Sequence, residues 1–221
     1  MLRAAIFDLD GTLVDSVDAH ARAWAEAFAS HGVPVPEPDC RFQIGKGGDN
    51  LLPVFLDERA RAEHGEAIEK THGEIFRSRF RAGVRAFPAV RELFEALAAR
   101  DVRVALASSS KPEDLEHYTR MLGIEDLLHT ATHSGHAERS KPHPDIFEAA
   151  QERLHPIPVD ESLGFGDSPW DAQAAGGMGL PLVGLRCGGF AEHDLLAAGA
   201  IRIYQDPADL LAHLDEIMAL R

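Results

Sequence analysis

Cysteine is nearly absent from this chain of 221 residues: Cys40 and Cys187 are far apart and lack metal-ligand spacing. Two thiols make neither a disulfide framework nor a thiolate metal cluster, so a reducing, cytosolic setting is expected. Basic residues are also scarce, with 22 Lys and Arg against 36 Asp and Glu and a formal net charge of -14. Nucleic acid and anionic membrane surfaces both need a basic face, so neither is expected as a partner. No apolar run is long enough to span a bilayer, and Ile6-Phe7 leads straight into Asp8 rather than into a signal-peptide core. Internal repeats and low-complexity tracts are missing too. What remains is 45% hydrophobic and 26% charged residues, enough for one large domain or two small ones, and a monomer is expected.

Short, largely unalternated apolar runs at Ala4–Phe7, Val102–Ala107, Ser162–Phe165, Leu180–Leu185 and Ala200–Tyr204 read as strands covered on both faces. Helical spacing lies between them at Pro88–Arg100, Pro112–Leu122, Pro142–Leu154, Ser168–Ala175 and Asp206–Leu220. This alternation predicts an α/β fold with a doubly wound, Rossmann-like parallel sheet. Residues 17–83 break the rhythm with helices over Asp18–His31 and about Asp57–Phe80, the second with a break at Gly65 or Gly73. Ile44-Gly45-Lys46-Gly47-Gly48-Asp49-Asn50 between them reads as a loop. Residues 1–16 and 84–221 are therefore expected to form the core. Residues 17–83 form a helical cap over the sheet edge, with hinges near Ser16–Val17 and Ala82–Phe87.

Four expected strand ends or loops carry polar groups that packing does not call for: Asp8 with Asp10, Ser108-Ser109, Lys141, and Asp167-Ser168 with Asp171. Ligands gather at the carboxyl ends of strands in an open parallel sheet. Asp8 can attack phosphorus, and Asp10 can protonate the leaving oxygen and then deprotonate water. Asp167, with the Asp8 carboxylate and the backbone carbonyl of Asp10, can complete an oxygen site for Mg²⁺. Ser108 can donate to a phosphoryl oxygen, and Lys141 can balance the carboxylates. Asp171 lies one helical turn beyond Asp167, within reach of the metal's waters or Lys141, and Ser168 stands beside them as an orienting group. Singly, each residue is a turn, a cap or a solvated side chain. Together, in this order, they point to phosphoryl transfer.

That set resembles the haloacid dehalogenase-like superfamily, in the branch with a helical cap inserted after the first strand. Asp8-Leu9-Asp10-Gly11-Thr12-Leu13-Val14-Asp15-Ser16, Ser108, Lys141 and Gly166-Asp167-Ser168 with Asp171 are similar to its four motifs. The resemblance implies a Rossmann-like core, Mg²⁺ dependence and an aspartyl-phosphate intermediate. Members that displace halide need no second acid, so Asp10 points to phosphate esters. Among relatives by pattern are phosphoglycolate-type phosphatases and β-phosphoglucomutases. His20 is similar to a mutase cap histidine, although Val17, His20, Trp24, Ala27 and Phe28 also form one packing stripe. Gly47-Gly48-Asp49 stands where mutases carry an arginine, and Gly166 replaces their acidic residue, so a phosphatase of a small phosphorylated metabolite is expected. A phosphosugar mutase is the alternative, and a non-catalytic phosphate-binding module is the reading from another class. Substrate contacts are expected from Ser109 and from His20, Trp24, Lys46, Gly47 and Asn50.

Overall fold

The computed structural model describes residues 1–220. In chain order it forms β1 (Ala4–Phe7), α1 (Val17–Ser30), α2 (Glu37–Arg41), α3 (Gly48–Phe55), α4 (Glu58–Ile75), α5 (Val90–Ala98), β2 (Arg103–Ala107) and α6 (Pro112–Leu122). The second half adds β3 (Leu128–Thr132), α7 (Asp145–Arg153), β4 (Ser162–Gly166), α8 (Pro169–Gly177), β5 (Leu182–Leu185), α9 (Glu192–Ala198), β6 (Arg202–Tyr204), α10 (Pro207–Ala212) and α11 (Leu214–Met218). The strands form one parallel sheet in the order β3-β2-β1-β4-β5-β6. β1 and β4 meet where that order reverses, so the loops leaving their carboxyl ends open on one crevice.

The short apolar strands follow from burial on both faces. Ala5 and Phe7 point into one core with Phe94, Leu106 and Phe165, whereas Ala4 and Ile6 point into another with Ala105 and Phe147. Phe7 stacks on Phe165 with ring centroids 4.3 Å apart, which locks β1 to β4 beneath the crevice. β3 lies outside the sequence expectation. It is an edge strand whose residues are mostly half-exposed, so its Leu-His-Thr-Ala-Thr sequence lacks the apolar run that marks the others.

Residues 17–83 are helical, with their own apolar cluster of Trp24, Phe28, Leu51, Leu52 and Ile68. Two details differ from the sequence reading. The glycine-rich stretch is shorter than expected, because α3 starts at Gly48 with Gly47 as its N-cap. α4 runs unbroken through Gly65 and Gly73 and then widens into a π-helical turn at Phe76–Phe80. Both glycines are buried against neighbours: a Cβ at Gly65 would lie 3.5 Å from Leu52, and one at Gly73 3.1 Å from Arg77. The segment leaves and re-enters the sheet side by side, with the Asp15 amide donating to the Arg85 carbonyl at 2.8 Å and Phe87 to Leu13 at 3.0 Å. At the C-terminus, the single helix expected over Asp206–Leu220 is two, parted at His213.

Candidate active site

Asp8 follows the last residue of β1, and its amide donates to the Phe165 carbonyl of β4 at 2.8 Å. Gly11, at φ +85, then turns the chain so tightly that a Cβ there would lie 2.4 Å from Asp167 Oδ2. Asp167 follows β4. Asp8, Lys141, Asp167 and Asp171 are 4%, 1%, 2% and 0% exposed, so four charged groups share a buried floor. The Lys141 ammonium pairs with Asp8 Oδ1 and, at 2.7 Å, with Asp171 Oδ1. The Thr12 hydroxyl lies 3.2 Å from Asp8 Oδ2 and 2.9 Å from Asp167 Oδ1, joining the two carboxylates from the other side. Asp171 also belongs to the N-terminal cap of α8, its Oδ2 accepting from the Ser168 amide at 3.0 Å and from the Ser168 hydroxyl at 2.5 Å.

One carboxylate oxygen from each of Asp8, Asp167 and Asp171 lies within 4.8 Å of the others. Burial, then the charges of Asp171 and Asp8, push the Asp167 carboxyl well above the usual carboxylate range. Burial likewise pushes Asp8 up to about 7, with Lys141 pulling the other way. For Lys141 burial alone would favour the neutral amine, but Asp171 and Asp8 outweigh it and hold the ammonium charged. Crowded hard oxygens that resist ionisation fit a divalent cation such as Mg²⁺, which would relieve the charge. Gly188 passes so close that a Cβ would sit 1.7 Å from Asp167 Oδ2, so only a residue without a side chain there leaves that carboxylate in place.

Above this floor a cavity of about 130 Å³, lined by Asp8 and Asp10 below and the helical segment above, opens at the sheet edge. Asp10 is more accessible than Asp8 and densely hydrogen-bonded. Ser16 donates to its Oδ1 at 2.6 Å, Ser110 to its Oδ2 at 2.5 Å, and His20 Nε2 lies 3.3 Å from Oδ1. Burial opposes ionisation, yet these contacts, His20 foremost, hold the carboxyl down at about 2. His20 is therefore more than a packed histidine: Nδ1 meets His72 Nε2 at 3.2 Å, and its ring stacks on Phe76 at 3.7 Å. Trp24 stacks on His72 at 4.1 Å, and burial keeps that imidazole well below its ordinary pKa, hence neutral.

The remaining sequence-selected residues divide. Ser109 lines the cavity with a buried hydroxyl that has no partner among the described residues. Ser108 is fully buried, accepts from the Ser110 amide at 3.0 Å, and does not line the cavity. Lys46 and Gly47 line it, but the Lys46 ammonium sits 3.8 Å over the Trp170 ring and donates to Gln43 at 2.7 Å. Asn50 faces elsewhere: its amide donates to the carbonyl and hydroxyl of Ser140, both at 3.0 Å. With the Gly47 amide donating to Ser140 Oγ at 2.9 Å and the Asp49 carboxylate accepting from the Ser140 amide at 3.0 Å, it fastens α3 to the loop that carries Lys141. Thr12, Glu69 and His72 were not selected as site residues from sequence. Thr12 lies inside the first motif and could have been. Glu69 and His72 come from a polar helix with no motif around them.

The family model of haloacid dehalogenase-like hydrolases matches residues 2–179. The chain belongs to that family. A phosphoglycolate phosphatase of Yersinia pestis is 31% identical over 192 residues, covering 85% of this chain and 82% of that protein. A phosphorylated carbohydrates phosphatase of Thermotoga maritima is 26% identical over 98% of this chain and 100% of its own length. Among solved structures, a hydrolase from Pseudomonas syringae superimposes with a TM-score of 0.91 at 33% identity, covering 98% of this chain and 100% of that one. The parallel sheet with flanking helices is thus the Rossmann-like core of a haloacid dehalogenase-like enzyme. No helix among the described residues is long and apolar enough to cross a membrane.

Proposed function

We propose that the protein is a phosphatase that hydrolyses a small phosphomonoester through an aspartyl phosphate on Asp8, with residues 17–83 acting as a cap domain over the site. One observation carries this reading. A carboxylate set between Lys141, Thr12 and Asp167 forms the floor of a cavity, with the second carboxylate of Asp10 beside it. Asp8 and Asp167, with the Asp10 backbone carbonyl, would hold Mg²⁺, which when bound would neutralise phosphoryl charge. Lys141 favours the ionised form of Asp8 against its burial and aims it, and Asp171 holds Lys141 from behind.

An Asp8 oxygen attacks phosphorus, the bond to the leaving oxygen breaks, and Asp10 passes its proton to that oxygen. Asp10 then takes a proton from the water that attacks the acyl phosphate, releasing inorganic phosphate and freeing Asp8. Its low pKa suits this second half. In the first half, the approach of a phosphoryl dianion raises it toward the proton-carrying form. Ser109, with its unpartnered hydroxyl, serves the bound ester directly. Ser108, behind it, shapes the loop through Ser110.

The mutase reading finds less support. A side chain at Gly48 would meet the Glu69 carboxylate at 2.6 Å, and Asp49 is committed to Ser140, so α3 offers no fork for a second phosphate. A non-catalytic module has no use for buried carboxylates that cost stability. The free cysteines Cys40 and Cys187 suit a reducing cytosol. The test is phosphate release from an aryl phosphate with Mg²⁺. Activity that needs the metal and vanishes in Asp8→Asn supports the proposal, and activity that survives Asp8→Asn removes it. Conversion of β-glucose 1-phosphate to glucose 6-phosphate faster than phosphate release would establish the mutase instead.

A further inference from the structure

The cavity wall opposite Asp8 carries charges that the hydrolysis itself does not use. Arg77 is held by Glu113 at 3.1 Å and Asp114 at 3.8 Å, and Asp114 also pairs with Arg81 at 3.0 Å. Lys46 is occupied by Trp170 and Gln43. Four polar lining groups have no side-chain hydrogen bond or ion pair among the described residues: the Glu69 carboxylate, the Lys111 ammonium, the Ser109 hydroxyl and the Trp24 indole N–H. Glu69 lies on α4 one turn before His72 and Gly73, so it shares their cavity-facing side, packed against Gly48 at the start of α3. Gly48 has no side chain to meet it.

These groups select by their hydrogen-bonding sense. Glu69 only accepts, Lys111 only donates, and Ser109 does either. A hydroxyl both donates and accepts, so the hydroxyls of a ligand can partner the Glu69 carboxylate as well as the Lys111 and Trp24 donors. A second phosphate or a carboxylate satisfies Lys111 and Ser109 but brings an anion against Glu69, without a guanidinium free to clamp it. We propose that Glu69 is a specificity-determining residue that accepts hydroxyl hydrogens from the leaving group, so that the substrate is the phosphate monoester of an uncharged polyhydroxy compound rather than one bearing a second anion. This inference rests on the phosphatase reading above.

The experiment compares kcat/KM, with Mg²⁺, for a hexose monophosphate, a hexose bisphosphate, phosphoglycolate and an aryl phosphate, in the wild type and in Glu69→Ala, Glu69→Gln and Glu69→Lys. The wild type is expected to favour the hexose monophosphate over the two competitors that bear a second anionic group. A hydrogen bond to a charged group makes the expected loss in Glu69→Ala about ten- to a hundredfold for the hexose ester, carried mainly by KM. The loss is smaller for the aryl ester, which offers no hydroxyl. Glu69→Gln is expected to recover part of it, and Glu69→Lys to turn preference toward the bisphosphate or phosphoglycolate. Equal losses on hexose and aryl esters in Glu69→Ala would assign Glu69 a structural role and overturn the inference. So would a wild-type preference for the esters that bear a second anionic group. In those cases aryl phosphate turnover leaves the phosphatase reading standing, whereas no turnover of any ester removes both.

Discussion

Replacing Lys141 with Met keeps most of the unbranched apolar stem but leaves Asp8 and Asp171 buried without their counter-ion. The wild-type ammonium is 1% exposed and touches both carboxylates, with Asp167 in the same cluster. Removing one partner from a buried ion pair costs about 3–5 kcal/mol, because the remaining charge keeps its desolvation penalty. Against a total of about 5–15 kcal/mol for a folded protein, that is a large share. The cost must also depend on pH in a definite direction. Asp8 and Asp167 already titrate above their unfolded values, and losing the lysine raises Asp8 further. A carboxyl with a raised folded pKa is penalised only when ionised. The added destabilisation therefore develops above the wild-type Asp8 value of about 7 and shrinks as pH falls below it toward the unfolded value near 4. Urea unfolding in EDTA measures this, with an expected drop of roughly 2 M in the midpoint at pH 8 and a smaller drop at pH 5. A loss under about 1 kcal/mol at pH 8, or an equal loss at both pH values, would refute the reasoning.

Other positions give separate checks. Gly188→Ala places a Cβ 1.7 Å from Asp167 Oδ2, so the carboxylate must move; the Mg²⁺ concentration for half-maximal activity should rise about tenfold or more. Ser140→Ala removes the hydroxyl that holds Gly47, Asp49 and Asn50, and KM should rise about fivefold with little change in melting temperature. Phe28→Ala empties the centre of the helical segment and should cost about 3–5 kcal/mol in urea unfolding.

The legible parts of the fold were those where one physical demand dominates. β1, β2 and β4 are covered on both faces and read as uninterrupted apolar runs, which placed Asp8 and Asp167 at strand ends. β3 escaped because an edge strand with His129 exposed need not be apolar. The start of α3 was read as loop because Gly47 and Gly48 serve close approach to Ser140 and Glu69, which is visible only once both neighbours are in place. Asn50 was taken for a ligand contact by composition, and its partner Ser140 lies 90 residues away. His72 and Glu69 sit on α4, whose buried residues are Gly65, Ile68 and Gly73, so no apolar stripe or motif pointed to its cavity side. Position in a motif separates strand-end chemistry from packing, whereas the cavity wall that Glu69 and His72 form is assembled from residues with no local signature.

The account stands on Asp8 carrying the phosphoryl group. Enzyme turning over an aryl phosphate with Mg²⁺, quenched in acid within the steady state and digested, should carry the mass of one phosphoryl group on the peptide containing Asp8. That label should be released by hydroxylamine and absent from Asp8→Asn. Turnover with no such label, or with the label on a serine or histidine, would contradict it.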